Sequence, residues 1–223
     1  MDRETKDNYV VTLVAEDNGQ PNERRSTTKL TITVLDINDN APVIQTTTGS
    51  IFENKPAKSP VAVVIATDKD IGKNAELIYT LGNHRDLFQL DENSGKLVTL
   101  SPLDREEKAN YTLTIIVYDK GSPRLKGMAN ILVIIKDLDD NCPVFERKNY
   151  YARLEENSLF GTFVITVKAT DRDEGVNAQL RYGILEGNDR GNTNCPNTVF
   201  FIRSVHIFLL CGSVVERLRR LTY

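Results

Sequence analysis

Acidic and amide side chains recur along this 223-residue chain in one fixed order. Asp2-Arg3-Glu4 returns as Asp104-Arg105-Glu106, and Asp17 with Gly19 returns as Asp119 with Gly121. Asp36-Ile37-Asn38-Asp39-Asn40-Ala41-Pro42 returns as Asp137-Leu138-Asp139-Asp140-Asn141-Cys142-Pro143. Glu53-Asn54 returns as Glu156-Asn157, and Asp68-Lys69-Asp70 with Asn74 returns as Asp171-Arg172-Asp173 with Asn177. The offsets are all 101 to 103 residues, and chance does not supply five such matches in order. The recurring side chains are almost all oxygen donors. Carboxylates placed this closely repel one another unless a cation or a basic side chain neutralises them. Few basic residues share the motifs, Arg105, Arg172, Lys69 and Lys73 among them. Hard oxygen donors without His or Cys suit calcium (Ca2+), which takes about six to eight oxygens in flexible geometry.

Composition narrows the alternatives. Lys plus Arg is 28 against 31 Asp plus Glu, a net charge of −3, which gives no basic surplus for nucleic acid. Three cysteines, Cys142, Cys195 and Cys211, are too few and too widely spaced for a disulfide framework or a thiolate zinc site. Two histidines, His84 and His206, exclude a His-rich metal site and leave Ser-His-Asp catalysis without a base. Glu106-Glu107 and the Asp-x-Asp pairs have the form of a glycosidase dyad. The same residues recur in each repeat, however, and an active site has no reason to do so. No enzyme activity is expected.

The elements that must hold these motifs are strands. A period near 100 residues is the size of one small domain, so the chain reads as a tandem array. Residues 9–15 (Tyr-Val-Val-Thr-Leu-Val-Ala) and 30–35 (Leu-Thr-Ile-Thr-Val-Leu) alternate apolar and polar side chains. Residues 111–118 and 131–135 do so less strictly. Period two with β-branched and aromatic residues predicts half-buried strands. Asn93-Ser94-Gly95 and Gly121-Ser122-Pro123 are turn signals. No long amphipathic helix is present. About seven short strands per repeat suit a β-sandwich.

Asp-x-Asn-Asp-Asn-x-Pro, Leu103-Asp104-Arg105-Glu106, Ala-Thr-Asp-x-Asp-x-Gly-x-Asn-Ala and x-Glu-Asn together resemble the calcium motifs of cadherin extracellular repeats, over residues 1–191. The resemblance implies an all-β fold of tandem seven-stranded Greek-key, immunoglobulin-like sandwiches, with three calcium ions stiffening each junction. The implied organisation is the C-terminal part of a repeat at 1–42, a complete repeat at 43–143, the N-terminal part of a third at 144–191, and a divergent hydrophobic and basic tail at 192–223.

Carried over to this chain, the resemblance assigns ligands at two junctions. At the first, one repeat supplies Asp2, Glu4, Asn38 and Asp39, with backbone oxygens of Ile37 and Asn40. The next supplies Asp68, Asp70, Asp119 and the carbonyl of Asn74. The bridging Glu of the first repeat would lie before Met1, so two ions are expected to bind weakly there. The third keeps Asn38, Asp68, Asp70 and Asp119. At the second junction the set is Glu53, Asp104, Glu106, Asp139 and Asp140, the backbones of Leu138 and Asn141, and Asp171, Asp173 and Asn177. Asp139 stands where the family has Asn. The counterpart of Asp119 is absent, so this junction is expected to keep the two ions that the first loses.

The implied function is a calcium-dependent cell-cell adhesion module at the outer face of the plasma membrane. Its partners would be other cadherin ectodomains, met homophilically or heterophilically. The absence of tryptophan sets it apart from cadherins that exchange an N-terminal Trp, and points to the interior repeats of a long Fat, Dachsous or protocadherin-like molecule. No apolar run or small-residue cleavage site follows Met1, so no signal peptide is expected in these residues. The motif order stops near Gly191, so the tail is expected to come from altered splicing, a frame change or an incomplete gene model. Its apolar stretch, residues 198–215, is alternatively a short membrane span, although Arg203 inside it costs about 2.5–3.5 kcal/mol. Other readings are a non-functional truncated product and a secreted carbohydrate-recognition sandwich, the latter lacking a cluster of aromatics. Asn110-Tyr111-Thr112 is a glycosylation sequon at a strand start. Cys142 is expected to be a free, partly buried thiol. Arg124 and Lys126 are expected at a solvated hairpin tip.

Overall fold

The computed structural model describes residues 1–22, 24–156, 158–159, 161–183, 199–203 and 206–210. It divides into two units, Met1–Lys136 and Asp137–Tyr223. In the first unit β1 (Asn8–Glu16) and β2 (Arg25–Thr33) form an antiparallel hairpin with nine register pairs. Then come β3 (Val43–Ile44), β4 (Thr48–Phe52), β5 (Pro60–Val63), β6 (Ala66–Thr67), β7 (Ile78–Leu81), β8 (Phe88–Leu90), β9 (Lys96–Thr99), β10 (Asn110–Tyr118) and β11 (Lys126–Lys136). A single 3-10 turn, Gly72–Ala75, lies between β6 and β7.

Seven of these strands make the expected Greek-key sandwich. One sheet has the order β4-β11-β10-β7 and the other β5-β9-β8. The first strand is split in two. Its short leading part, β3, pairs antiparallel with β6, and β4 then joins β11 in parallel.

Alternation drives the packing. In β10 the inward row is Tyr111, Leu113, Ile115 and Val117, and in β11 it is Ile131, Val133 and Ile135; five of these seven are wholly buried. Phe88, Leu97 and Val64 close the core from the facing sheet. Phe88 meets Tyr111 edge-on at 5.3 Å between ring centroids. Each buried aliphatic or aromatic side chain stabilises the fold by about 1.5–3 kcal/mol relative to exposure. The Asn93-Ser94-Gly95 turn signal is realised as Asp91 Oδ1 accepting from the Asn93 and Ser94 N–H groups. Gly95 has φ +67°, and its carbonyl accepts from Val64 N at 2.7 Å. A Cβ there would stand 2.3 Å from the Val64 carbonyl oxygen, so only glycine lets β5 and β9 close. The β1–β2 hairpin repeats the β10–β11 pattern, yet Val11, Leu13, Leu30 and Ile32 face solvent.

The second unit contains β12 (Val144–Phe145), β13 (Phe163–Thr166), β14 (Ala169–Thr170), β15 (Val199–Arg203) and β16 (His206–Leu210). β12 pairs antiparallel with β14, as β3 does with β6. β16 pairs with both β13 and β15. Val199, Phe200, Phe201 and Ile202 are strand formers, and the described part of residues 198–215 is a strand hairpin joined to β13. The other residues of that stretch lie outside the described ones. No helix among the described residues is long and apolar enough to cross a membrane. Cys142 is exposed, not partly buried, because it sits in the linker outside either sheet. Arg124 and Lys126 are exposed at the hairpin tip, as expected, and Arg124 also donates its Nε to the Asp119 carbonyl at 2.7 Å, with its guanidinium 5.2 Å from the Tyr118 ring centre.

Replacing Phe88 by Ala removes the ring that closes the core against Tyr111. The expected loss is about 3–5 kcal/mol of unfolding free energy. Met128→Ala, at an exposed position of β11, should change it by less than about 0.5 kcal/mol. Urea unfolding of the full chain checks both.

Candidate metal centre

The linker between the β1–β2 hairpin and the sandwich is pinned by its own polar side chains. Asn40 donates its backbone N–H to Asp70 Oδ2 at 3.2 Å and its amide to Asp70 Oδ1 at 2.7 Å. The same amide reaches Asp39 Oδ1 at 2.8 Å. Asp36 accepts from the Asn74 amide at 2.9 Å and from the Ile71 N–H at 3.1 Å. Glu4, Asp36 and Asp70 each bring a carboxylate oxygen to within 4.8 Å of the others. Arg3 lies beside them, ion-paired to both Glu4 and Asp36, with its Nη2 also donating to the Lys69 carbonyl at 2.6 Å. Asp2 is a turn residue here: its oxygens take the Glu4 N–H at 2.9 Å and the Thr5 hydroxyl at 2.7 Å. The Ile37 carbonyl accepts from Asp39 N at 2.9 Å.

The second focus is Asp119, which is fully buried at the end of β10. Its Oδ1 accepts from Gly121 N at 2.9 Å, and Leu125 N reaches both of its oxygens at 3.1–3.2 Å. Its Oδ2 accepts from the Asn38 amide at 3.0 Å. Asn38 donates also to the Pro123 carbonyl at 2.6 Å. Gly121 makes this possible, because a Cβ on it would stand 2.3 Å from the Asn38 amide carbon. Asp68 turns back to accept from the Asp70 N–H at 3.0 Å.

Charge and burial conflict at this end of the sandwich. Burial first, and then the charges of Asp70 and Asp119, push the Asp68 carboxyl above its usual range, against the opposing Asp70 N–H. Burial also works to raise Asp36, but the Asn74 amide, the Ile71 N–H and Arg3 prevail and hold it below the usual range.

The second unit repeats the arrangement from its own residues. Asn141 donates its amide and its backbone N–H to Asp173 Oδ1 at 2.9 and 3.2 Å, and its amide reaches Asp140 Oδ1 at 2.7 Å. The Asn177 amide donates to Asp137 at 2.9 Å, and Asp171 accepts from the Asp173 N–H at 3.1 Å. The Leu138 carbonyl takes the Asp140 N–H at 3.0 Å. Asp139, in place of Asn38, is exposed. In the first unit, Glu53 is fully buried and accepts from Arg105 N at 2.8 Å; Arg105 is ion-paired to Glu106. Burial, and then the Glu53 charge, raises the Glu106 carboxyl. Asp104 caps its turn by accepting from Glu107 N at 3.1 Å.

Among the described residues, three buried side-chain oxygens accept no hydrogen bond: Asn38 Oδ1, Asp68 Oδ2 and Asp173 Oδ2. A buried acceptor left this way costs about 1–3 kcal/mol. All three belong to the acidic motifs, and Asp173 is the counterpart of Asp70. Hard oxygens with spare lone pairs, grouped with further carboxylates, fit a calcium-type cation.

Asp36 and Asp137 were not among the ligands assigned from the sequence. The structure makes Asp36 a member of the carboxylate group with Glu4 and Asp70 and gives Asp137 the corresponding Asn partner. Each opens its repeated linker motif, which was the available signal.

These features define a tandem β-sandwich protein with oxygen-rich linker motifs suited to a hard divalent cation. The chain belongs to the cadherin family: a family model for the cadherin domain matches residues 47–136 and 150–202. It is 40% identical over 193 residues to mouse protocadherin Fat 4, covering 84% of this chain and 4% of that protein. It is 41% identical over 196 residues to human cadherin EGF LAG seven-pass G-type receptor 1, covering 85% of this chain and 6% of that one. The chain thus spans a small fraction of the curated relatives it matches. Among solved structures, mouse cadherin-23 EC22-24 aligns with TM-score 0.66 and 31% identity, over 95% of this chain and 67% of that one. Protocadherin gamma B2 extracellular cadherin domains 3-6 align with TM-score 0.76 and 28% identity, over 96% and 54%. The second family match runs past residue 191, where the motif order stops. The acidic pairs are motifs of this family and not an active-site dyad.

Gly121→Ala should force the Asn38 amide away from Asp119. The expected result is a lower melting temperature and weaker calcium binding than wild type, read by thermal unfolding and calorimetric titration.

Proposed function

We propose that this chain is a calcium-dependent adhesion module, part of a cadherin ectodomain at the outer face of the plasma membrane. Its partners would be other cadherin ectodomains. The observation that carries the reading is the pair of unsatisfied buried oxygens, Asn38 Oδ1 and Asp68 Oδ2, grouped with buried Asp70 and Asp119.

The ligands at the first junction are Asn38, Asp68, Asp70 and Asp119, with Asp2, Glu4, Asp39, the backbones of Ile37 and Asn40 and the carbonyl of Asn74. Asp36 joins them. Bound calcium would supply positive charge and additional oxygen coordination there. The residues do the positioning: Asn40 ties the linker to Asp70, Asp119 holds Asn38, and the 3-10 turn carries Asn74 to Asp36. The same motif role falls to Glu53, Asp104 and Glu106 in the first unit. In the second unit it falls to Leu138, Asp139, Asp140, Asn141, Asp171, Asp173 and Asn177. The repeat limits 1–42, 43–143 and 144–191 go with this reading. Neutralising the crowded carboxylates would fix the linker and so fix the direction in which a distant adhesive surface is presented.

Extracellular calcium modules bind at about 10⁻⁴–10⁻³ M. A site of about 10⁻⁴ M adds about 2.7 kcal/mol of stability at one hundred times that concentration. Thermal unfolding of the full chain in calcium and in chelator tests this, with wild type, the double variant Asp68→Ala/Asp70→Ala, and Glu53→Ala. Calcium should raise the wild-type melting temperature, and each variant should lose part of the gain. A wild type that melts identically in calcium and chelator would sink the proposal.

A further inference from the structure

The geometry points to Asn110 as the attachment site of an N-linked oligosaccharide that covers the outer face of the β4-β11-β10-β7 sheet. Asn110-Tyr111-Thr112 is the one Asn-x-Ser/Thr sequence in the 223 residues. It opens β10, and the alternation of that strand places Asn110 and Thr112 together on the outer, exposed face. Tyr111 between them turns inward and is 6% exposed. The amides of two neighbouring asparagines are already engaged: Asn83, just past β7, donates to the Thr112 carbonyl at 2.9 Å, and Asn130, on β11, accepts from the Thr114 hydroxyl at 3.0 Å.

The surroundings suit a sugar chain. Asn110 stands opposite Ile134, and Thr112 opposite Leu132. Both apolar residues are about two-fifths exposed, at 41% and 39%. On their other side β4 presents Ser50 beside Ile134 and Thr48 beside Leu132. The patch of Asn110, Thr112, Leu132, Ile134, Thr48 and Ser50 is uncharged. Its hydroxyls can hydrogen-bond a neutral oligosaccharide, and its two apolar side chains can pack under the C–H faces of the sugar rings. Attached glycans are bulky and solubilising. This cover withdraws the face from protein contact, so that partner recognition falls on other surfaces.

The inference rests on the extracellular reading, because the transfer needs an oligosaccharide carried on a polyprenyl diphosphate in the secretory pathway. Asn110 Nδ2 forms a bond to the anomeric carbon while the bond from that carbon to the diphosphate oxygen breaks. The polyprenyl diphosphate leaves with the electron pair, and the amide gives up one proton to solvent.

The full chain is secreted from cultured animal cells behind an added leader, as wild type, Asn110→Gln, Thr112→Ala and Thr112→Ser. Treatment with a peptide N-glycosidase should shift the wild type and Thr112→Ser on a gel and leave Asn110→Gln and Thr112→Ala unmoved. Mass spectrometry should find Asn110 converted to Asp in the shifted material. A secreted wild type that gains melting temperature with calcium but carries no glycan at Asn110 overturns this inference alone. A glycosylated chain indifferent to calcium upholds it and overturns the adhesion reading. Sedimentation tests the cover: Asn110→Gln should self-associate, and Leu132→Thr/Ile134→Thr added to it should restore the monomer. If Asn110→Gln sediments as the wild type does, the sugar does not shield this face.

Discussion

Oxygens of like charge held together out of water are the condition to which the other features of this structure answer. Asp119 and Glu53 are fully buried and Asp70 nearly so, each at the end of a sandwich rather than in its core. Burying a carboxylate is unfavourable unless hydrogen bonds or an opposite charge compensate. The chain compensates locally, with backbone N–H groups on Asp119 and with Arg3 and Arg105 beside the acidic groups. The compensation is incomplete, since Asn38, Asp68 and Asp173 each keep an oxygen without a donor. The wholly buried inward row of β10, Leu113, Ile115 and Val117, leads directly to Asp119 and anchors it at the strand's end.

The two copies of the linker motif show that the arrangement is encoded locally. Asn40 with Asp70 and Asn141 with Asp173 make the same pair of donations, and Asn74 with Asp36 matches Asn177 with Asp137 at the same 2.9 Å. The residues between the motifs differ widely between copies. The short antiparallel pairs β3–β6 and β12–β14 recur as well, because each brings the start of a repeat alongside the strand that leads into its Asp-x-Asp turn.

Much of this was legible in the sequence, for reasons that differ by region. Even the looser alternation in residues 111–118 exposed the inward row, because a strand buried on one face has period two. The acidic motifs were legible because they repeat. Asp36 and Asp137 escaped assignment although they stand in those motifs; only the fold shows Asn74 and Asn177 reaching back across the turn to them. Cys142 looked half-buried beside Pro143, but a linker residue is covered only if a sheet passes over it. The strand pairing in the tail was not legible, because an apolar run of Val, Phe and Ile suits a span and a strand equally, and the pairing partner β13 lies more than thirty residues earlier. The hydrogen bond from exposed Arg124 depended on the Asp119 carbonyl, a backbone group with no sequence signature.

The split first strand has a mechanical consequence. β4 runs parallel to β11, with Thr48 beside Leu132 and Phe52 beside Lys136. Tension drawing the beginning of the repeat away from its end therefore pulls the two strands in opposite directions along their shared ladder. All five register pairs carry that load together, in shear, whereas a hairpin pulled from its open end would unzip step by step. β3 adds a second, shorter clamp, its two-residue pairing with β6, ahead of them. A repeat built this way yields to force by sudden rupture of a whole strand and not by gradual fraying.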